Sequence, residues 1–294
     1  MRHRLSYWHW KIFLAGVHKL ATGKRRESAM LRLVISNQRG GVSKTTTTAT
    51  LARFFGDSGM RVLAIDADPQ GSLGLVLGLR PHKYLHDFVL YNAPLEQCTV
   101  SPAPNVDVLC GNRDTVKVEV TLLGMTGREF VLSRLLSRAE HSYDVVLIDV
   151  APSINLVQTC SIMYAGRLLI PVAMDMLSLQ GAVACIETAR LLAEVFHADI
   201  RPVALLPVKV DRRFSLTEYM MTALRELSEK RGIPLLEAIR TDGTVPKAER
   251  AKEFLVDYDP RCRALEDYTA AANQLLRLLD VKQDAEHREE ALTA

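Results

Sequence analysis

The sequence predicts an α/β protein with a mainly parallel, doubly wound sheet and helices on both faces. Three observations predict it. Short apolar runs alternate with helix-patterned segments along most of the chain, the rhythm of βαβ units. Runs such as "VVLIDV" (145–150) are almost uniformly apolar, as strands buried on both faces are. Between the first run and the first helix lies a loop with paired glycines followed by Lys-Thr, at the place where such folds hold anions.

The elements follow in order. "LRLVIS" (31–36) is the first strand. The helix after it, "TTTTATLARFFGDSG" (45–59), carries Ala49, Leu51, Ala52, Phe54 and Phe55 at mixed helical spacings and stops at Gly59. "RVLAID" (61–66) and "NVDVLCG" (105–111) are the second and third strands. "REFVLSRLLSRAEHS" (128–142) is an amphipathic helix with Phe130, Leu132, Leu135 and Leu136 on one side. "YDVVLIDV" (143–150), "RLLIPV" (167–172), "RPVALLPV" (201–208) and "LLEAIR" (235–240) are further strands. Helices over 177–196 and 215–230 lie between them, and a last helix covers 264–279. Crossovers of one hand then place helices on both faces of the sheet.

Composition bounds the function. The chain has 294 residues, 48% hydrophobic and 24% charged, ordinary values for a globular protein. Its net charge of +3 is unevenly spread: residues 1–29 hold seven Lys/Arg against Glu27, so the rest is net negative. Any contact with nucleic acid therefore needs a local basic patch. Residues 1–29 read as a basic leader, disordered or a short helix; 30–281 as one domain; and 282–294 as a polar, frayed tail. The five cysteines are scattered without a C-x-x-C pair, which argues against a zinc site or a disulfide framework and for a reducing cytoplasm. No apolar run reaches membrane-spanning length, and 8–20 lacks a clear signal-peptide cleavage site.

The loop "NQRGGVSKTTTT" (37–48) carries the chemistry. A Walker A loop reads G-x-x-x-x-G-K-[ST]. Lys44 and Thr45 supply its last two letters, but Ser43 and Gln38 stand where it has glycines. In a strand–turn–helix setting, backbone N–H groups at the helix start converge on an anion. Lys44 then reaches the β/γ-phosphates and the Thr45 hydroxyl reaches Mg²⁺. Two acidic stations follow, "IDADPQGS" (65–72) and "VVLIDVAPS" (145–153). Asp149, at the end of an apolar strand, has the Walker B placement for Mg²⁺, directly or through water. Of Asp66 and Asp68, one can face the metal sphere while the other orients an attacking water.

With "VLAIDADPQGSLG", "YDVVLIDVAPS", "LLIPV", "LLPVKVDRR" and "FLVDYDPRCRA", this loop resembles the ParA/MinD family of deviant Walker ATPases, most closely its ParA/Soj partition branch. The similarity runs from about residue 31 to 279. The family loop, K-G-G-x-x-K-[ST], requires only Gly40 and Gly41 as glycines, so Ser43 and Gln38 are not defects. One letter departs: Arg39 stands where the family has its signature lysine. Arg keeps the charge, but its planar fork is not equivalent to an ammonium. A second departure is Ser153, where the family has a second proline.

The resemblance implies a P-loop NTPase fold of the deviant Walker type and a set of roles. Gly40, Gly41, Val42, Ser43, Lys44, Thr45 and Thr46 form the phosphate cradle, with Asp66 in support. Thr45 and Asp149 serve Mg²⁺, Asp68 orients the lytic water, and Arg39 crosses to the partner subunit's phosphates. Val208 and Lys209 line the adenine side. The implied activity is slow, partner-stimulated ATP hydrolysis in an ATP-dependent homodimer. That dimer binds DNA without sequence preference and works with a centromere-binding or cargo-adaptor protein in the cytoplasm, on the nucleoid when ATP-bound. Candidate phosphate contacts to DNA are Arg212, Arg213, Arg240, Lys247, Arg250, Lys252, Arg261 and Arg263.

Three rivals are weighed. A MinD-like membrane positioner needs a C-terminal amphipathic helix, and "QDAEHREEALTA" is acidic, with Leu292 its single large apolar residue. An iron–sulfur relative needs suitably placed cysteines. The third, a DNA-binding scaffold that binds ATP but barely hydrolyses it, is motivated by Arg39; within the ParA-like reading itself, a positioner of a non-DNA cargo is the alternative.

Overall fold

A computed structural model describes residues 30–137 and 140–293. The leader expected over 1–29 lies outside the described residues. The sheet has seven strands: β1 Leu31–Ile35, β2 Val62–Asp66, β3 Thr99–Ala103, β4 Val106–Leu109, β5 Val145–Asp149, β6 Arg167–Ala173 and β7 Arg201–Val208. Their spatial order is β3-β4-β2-β5-β1-β6-β7. All pairs are parallel except β3 with β4.

The uniform apolar runs have the predicted cause. Along β1, Leu33 and Ile35 face one core and Val34 the other. Val62 and Ala64 alternate with Leu63 and Ile65, and Val145 and Leu147 with Val146 and Ile148, between the same two cores. One core is closed by Lys44–Asp57, by Leu255–Tyr258 and by the C-terminal helix that begins at Arg263. The other is closed by Leu85–Leu90, Thr115–Leu122, Val131–Leu136, Leu156–Ala165, Met176–Phe196 and Ser215–Arg231.

The topology places the site. The chain leaves β1 to build β2, β4 and β3 on one side, returns through β5, then crosses to β6 and β7 on the other. The winding direction therefore reverses beside β1, and in open α/β sheets ligands bind outside the carboxyl ends of strands at such a point. Register brings Ile35, Asp66 and Asp149 to one level, because Asp149 pairs with both Ile35 and Asp66.

Four expectations need correction. Residues 235–240 make only isolated parallel bridges, from Leu235 to Leu205 in β7 and from Arg240 to Val210 just beyond it. The Leu236 and Ile239 amides bond the carbonyls of Leu205 and Pro207, so the segment advances by more residues than β7 does and a regular ladder is lost. The helix expected over 128–142 is broken into Arg128–Phe130, Val131–Leu136 and Glu140–Ser142. The last helix runs Arg263–Thr293, beyond the 264–279 expected and through the segment read as a frayed tail. Finally, Met176–Phe196 is long and apolar enough to cross a membrane by length and composition. Here it buries Ser178, Gly181, Ala182, Cys185, Ile186 and Ala189, as the core helix of a sheet does. All five cysteines are free and buried, as the absence of a disulfide framework requires.

Candidate phosphate and cation site

The loop leaves β1 at Ser36 and enters the helix Lys44–Asp57 with Ser43 as N-cap, in the left-handed region (φ 59°, ψ 28°). This is the position where a Walker loop has glycine. Ser43 meets the same backbone demand at a cost of roughly 1 kcal/mol. Gly41 is also left-handed (φ 76°), and a Cβ at Gly40 or Gly41 would meet nothing within 4 Å. Side chains there would obstruct only what approaches the loop from outside. The helix start has no side-chain cap and no acid in its first turn, so its free N–H groups and dipole favour an anion.

Lys44 is buried, and its Nζ donates to the carbonyls of Asn37 (3.2 Å) and Arg39 (3.0 Å). Burial lowers its pKa, while Asp149, Asp68 and Cys185 oppose that shift. The Thr45 hydroxyl donates to Asp149 Oδ2 at 2.6 Å. Asp149 is buried, and burial pushes its carboxyl up to about 7 against the restraint of Thr45 and Lys44. Its Oδ1 is buried without a hydrogen-bond partner. A buried carboxylate with an orphaned oxygen beside a hydroxyl is a hard-oxygen donor set that suits a small divalent cation. Among the described residues no group of three or more His, Cys, Asp or Glu could hold a metal alone.

Asp66 and Asp68 divide as alternation predicts. Asp66 is fully buried and turned inward: Oδ1 accepts from the Asp68 amide (3.2 Å) and Oδ2 from the amides of Leu73 (2.9 Å) and Gly74 (3.4 Å). Burial, then the charge of Asp149, pushes its pKa well up. Asp66 thus braces the segment that carries Asp68, and its contribution to the site is indirect. Asp68 is half-buried, with Oδ1 accepting from the Gln70 amide at 2.8 Å. The segment crosses Gly111 so closely that a Cβ there would lie 2.6 Å from the Asp66 carbonyl and 2.7 Å from that of Asp68.

Other expected residues fall differently. The Val42 side chain is in the core, so only its backbone faces the loop. Val208 is fully buried and cannot line an adenine site. Lys209 instead reaches the loop, donating from Nζ to the Gly41 carbonyl at 2.7 Å. Arg39 is exposed. Of the basic candidates, Arg213 is committed to Asp211, whose carboxyl it holds at about 2, and Arg240 to Asp267 and Glu266. Arg212, Lys247, Arg250, Lys252, Arg261 and Arg263 form no ion pair with an acid among the described residues.

Sequence reasoning missed Asn37, Gly181 and Glu249. Gly181 could have drawn notice, as an isolated glycine within a helical pattern. Glu249 gave no signal. Its Oε1 accepts from the Thr46 hydroxyl at 2.7 Å, which sets a carboxylate against the phosphate cradle. Glu249→Gln should tighten nucleotide binding about threefold to tenfold, the effect of removing a partly exposed like charge of about 1 kcal/mol. Calorimetric titration checks this, and weaker binding would show that Glu249 assists the site.

Known proteins resemble this chain over most of its length. A family model described as "AAA domain" matches residues 30–201, which span β1 to the start of β7 and include the loop from Ser36 to Lys44 together with Asp66, Asp68 and Asp149. Among similar proteins are the chromosome partitioning protein ParA of Myxococcus xanthus, 27% identical and aligned over 87% of this chain and 91% of its own. The sporulation initiation inhibitor protein Soj of Bacillus subtilis is 27% identical, over 83% of this chain and 97% of its own. Among solved structures, cobyrinic acid a,c-diamide synthase from Mycobacterium smegmatis with bound ADP and magnesium superposes with a TM-score of 0.73 at 26% identity, over 85% of this chain and 96% of that one.

Proposed function

The chain belongs to the AAA-domain family matched over residues 30–201, and we propose that it is an ATP-hydrolysing partition protein of the ParA/Soj kind. In this reading it dimerises around ATP, binds DNA without sequence preference and positions DNA with a partner adaptor. The observation that carries the reading is the convergence, at one uncapped helix start, of buried Lys44 and the Thr45–Asp149 pair with its orphaned Oδ1.

The positions of these residues support the following roles. The loop amides and Lys44 bind the β/γ-phosphates, and Thr45 with Asp149 holds Mg²⁺. When bound, Mg²⁺ supplies positive charge against the phosphate oxygens. Asp68 orients a water for in-line attack on the γ-phosphorus. A bond forms from the water oxygen, the bond to the β–γ bridging oxygen breaks, the water proton passes to solvent or phosphate, and ADP and phosphate leave. The chain supplies positioning and fixed charge for this step. Exposed Arg39 reaches the partner subunit's phosphates, which makes dimerisation depend on ATP. Arg212, Lys247, Arg250, Lys252, Arg261 and Arg263, which form no ion pair among the described residues, carry the DNA contact, in the cytoplasm on the nucleoid.

A second reading, an ATP-gated DNA-binding scaffold that hardly turns over, draws on Arg39 in place of the family lysine. Phosphate release with DNA and partner present separates the two. Arg39→Ala tests the trans role: monomer affinity for ATP stays nearly intact. ATP-dependent dimerisation weakens roughly tenfold or more, since a charge-assisted phosphate contact is worth about 1.5–3 kcal/mol. Sedimentation reads the dimer. Dimerisation equal to the parent's would refute the role, and lost monomer affinity alone would place Arg39 in its own subunit's site. Arg39→Lys raises hydrolysis if the planar fork slows chemistry, and leaves it unchanged if Arg39 does the lysine's work in full.

A further inference from the structure

We propose that Asn37 is a positioning residue for Arg39, and that it can act so only because residue 181 has no side chain. The inference rests on the trans reading of Arg39.

Asn37 is fully buried and uses both ends of its amide. Nδ2 donates to the carbonyl of Pro171 in β6 (2.8 Å) and to that of Ser178 in the helix Met176–Phe196 (3.1 Å). Oδ1 accepts from the Arg39 amide at 3.0 Å. Two carbonyls on one side and an N–H on the other admit a single amide orientation, because a flip would set oxygen against oxygen. The Arg39 backbone is thereby held to a fixed point between β6 and the helix, although its side chain is exposed. A second tether runs to the same helix, from Gln38 Nε2 to Thr188 Oγ1 at 3.1 Å.

Gly181 makes this contact possible. A Cβ there would lie 2.2 Å from Asn37 Oδ1, 3.1 Å from the Arg39 amide nitrogen and 3.2 Å from Arg39 Cβ. The nearest atom ends a side chain, but that side chain is locked by three hydrogen bonds and cannot swing aside without releasing the Arg39 amide. Helix propensity opposes a glycine within a helix. Close approach of loop and helix is what the glycine provides. Arg39 has a long side chain whose reach across a dimer depends on where its backbone is fixed. Asn37 sets that point, and the helix that carries Gly181 and Ser178 ties it to the sheet.

The test is a double-mutant cycle of Gly181→Ala and Arg39→Ala, read by phosphate release, ATP-dependent sedimentation and monomer ATP affinity. Gly181→Ala should lower kcat about tenfold or more with KM little changed, a misplacement effect. Its monomer affinity should stay within about threefold of the parent's, and in the Arg39→Ala background it should change rate and dimerisation less than twofold, because residues acting through one contact are not additive. Equal losses in both backgrounds would overturn the proposal. So would a fall in monomer affinity, which would mean that the change acts through Lys44 and the Arg39 carbonyl. Arg39→Ala alone tests the trans reading, so the two failures are distinguishable. Hydrogen exchange in the unmodified protein needs no variant. The Arg39 amide should exchange about a hundredfold or more slower than an unstructured amide, and free exchange there would refute the lock whether or not Gly181→Ala folds.

Discussion

Lys44→Ala should abolish measurable ATP binding, a loss of roughly a hundredfold or more, since charge-assisted hydrogen bonds to phosphate are worth about 1.5–3 kcal/mol each and the ammonium makes more than one. Lys44 is the loop's single lysine, and the carbonyls of Asn37 and Arg39 hold its Nζ at 3.2 and 3.0 Å over the helix start. A buried ammonium is costly without partners. The pKa-lowering effect of burial at Lys44 is opposed first by Asp149 and then by Asp68, so a polyanion at the same place strengthens its charged form. The substitution also loosens the loop by freeing two carbonyls, which adds to the loss. Titration with a non-hydrolysed ATP analogue reads the effect. Parent-like affinity would remove the loop from phosphate binding.

The parts of the fold legible in the sequence were those whose cause is local. Apolar runs marked β1, β2, β5, β6 and β7, because both faces of each strand are covered, and β4 showed through Val106, Val108 and Leu109 despite half-buried Asp107. β3 escaped notice: "TVSPA" contains Pro102 and is half-exposed at the sheet edge, where it pairs antiparallel with β4 only. Residues 235–240 looked like a strand because their composition is a strand's, whereas the loss of ladder comes from their register against β7. Periodicity alone also could not foresee the break in 128–142, where Gly127 is left-handed and Ser137 Oγ turns onto the Arg134 carbonyl.

The site divides in the same way. Lys44, Thr45, Asp66, Asp68 and Asp149 stand in motifs whose spacing reports strand ends and a helix start. Asn37, Gly181 and Glu249 act through contacts made across more than a hundred residues of chain, which no local pattern records. Val208 failed for a simpler reason. It is the last residue of β7, and alternation turns it into the core, leaving Lys209 to reach the loop.

The most direct test of an ATP-driven dimer is sedimentation of Asp68→Ala with Mg²⁺ and ATP. Asp68 sits half-buried, close enough for its charge to act on Asp149, on a segment braced by Asp66 and tied to β5 through the Ala67 amide. Its removal leaves the phosphate cradle and the cation ligands intact. If it orients the attacking water, chemistry stops while the nucleotide sandwich persists, with hydrolysis down about a hundredfold or more for loss of a positioning or proton-accepting group. The account predicts a stable species of twice the chain mass in ATP that falls to monomer when ATP is exchanged for ADP. A variant that stays monomeric in ATP, or releases phosphate at the parent's rate, contradicts it.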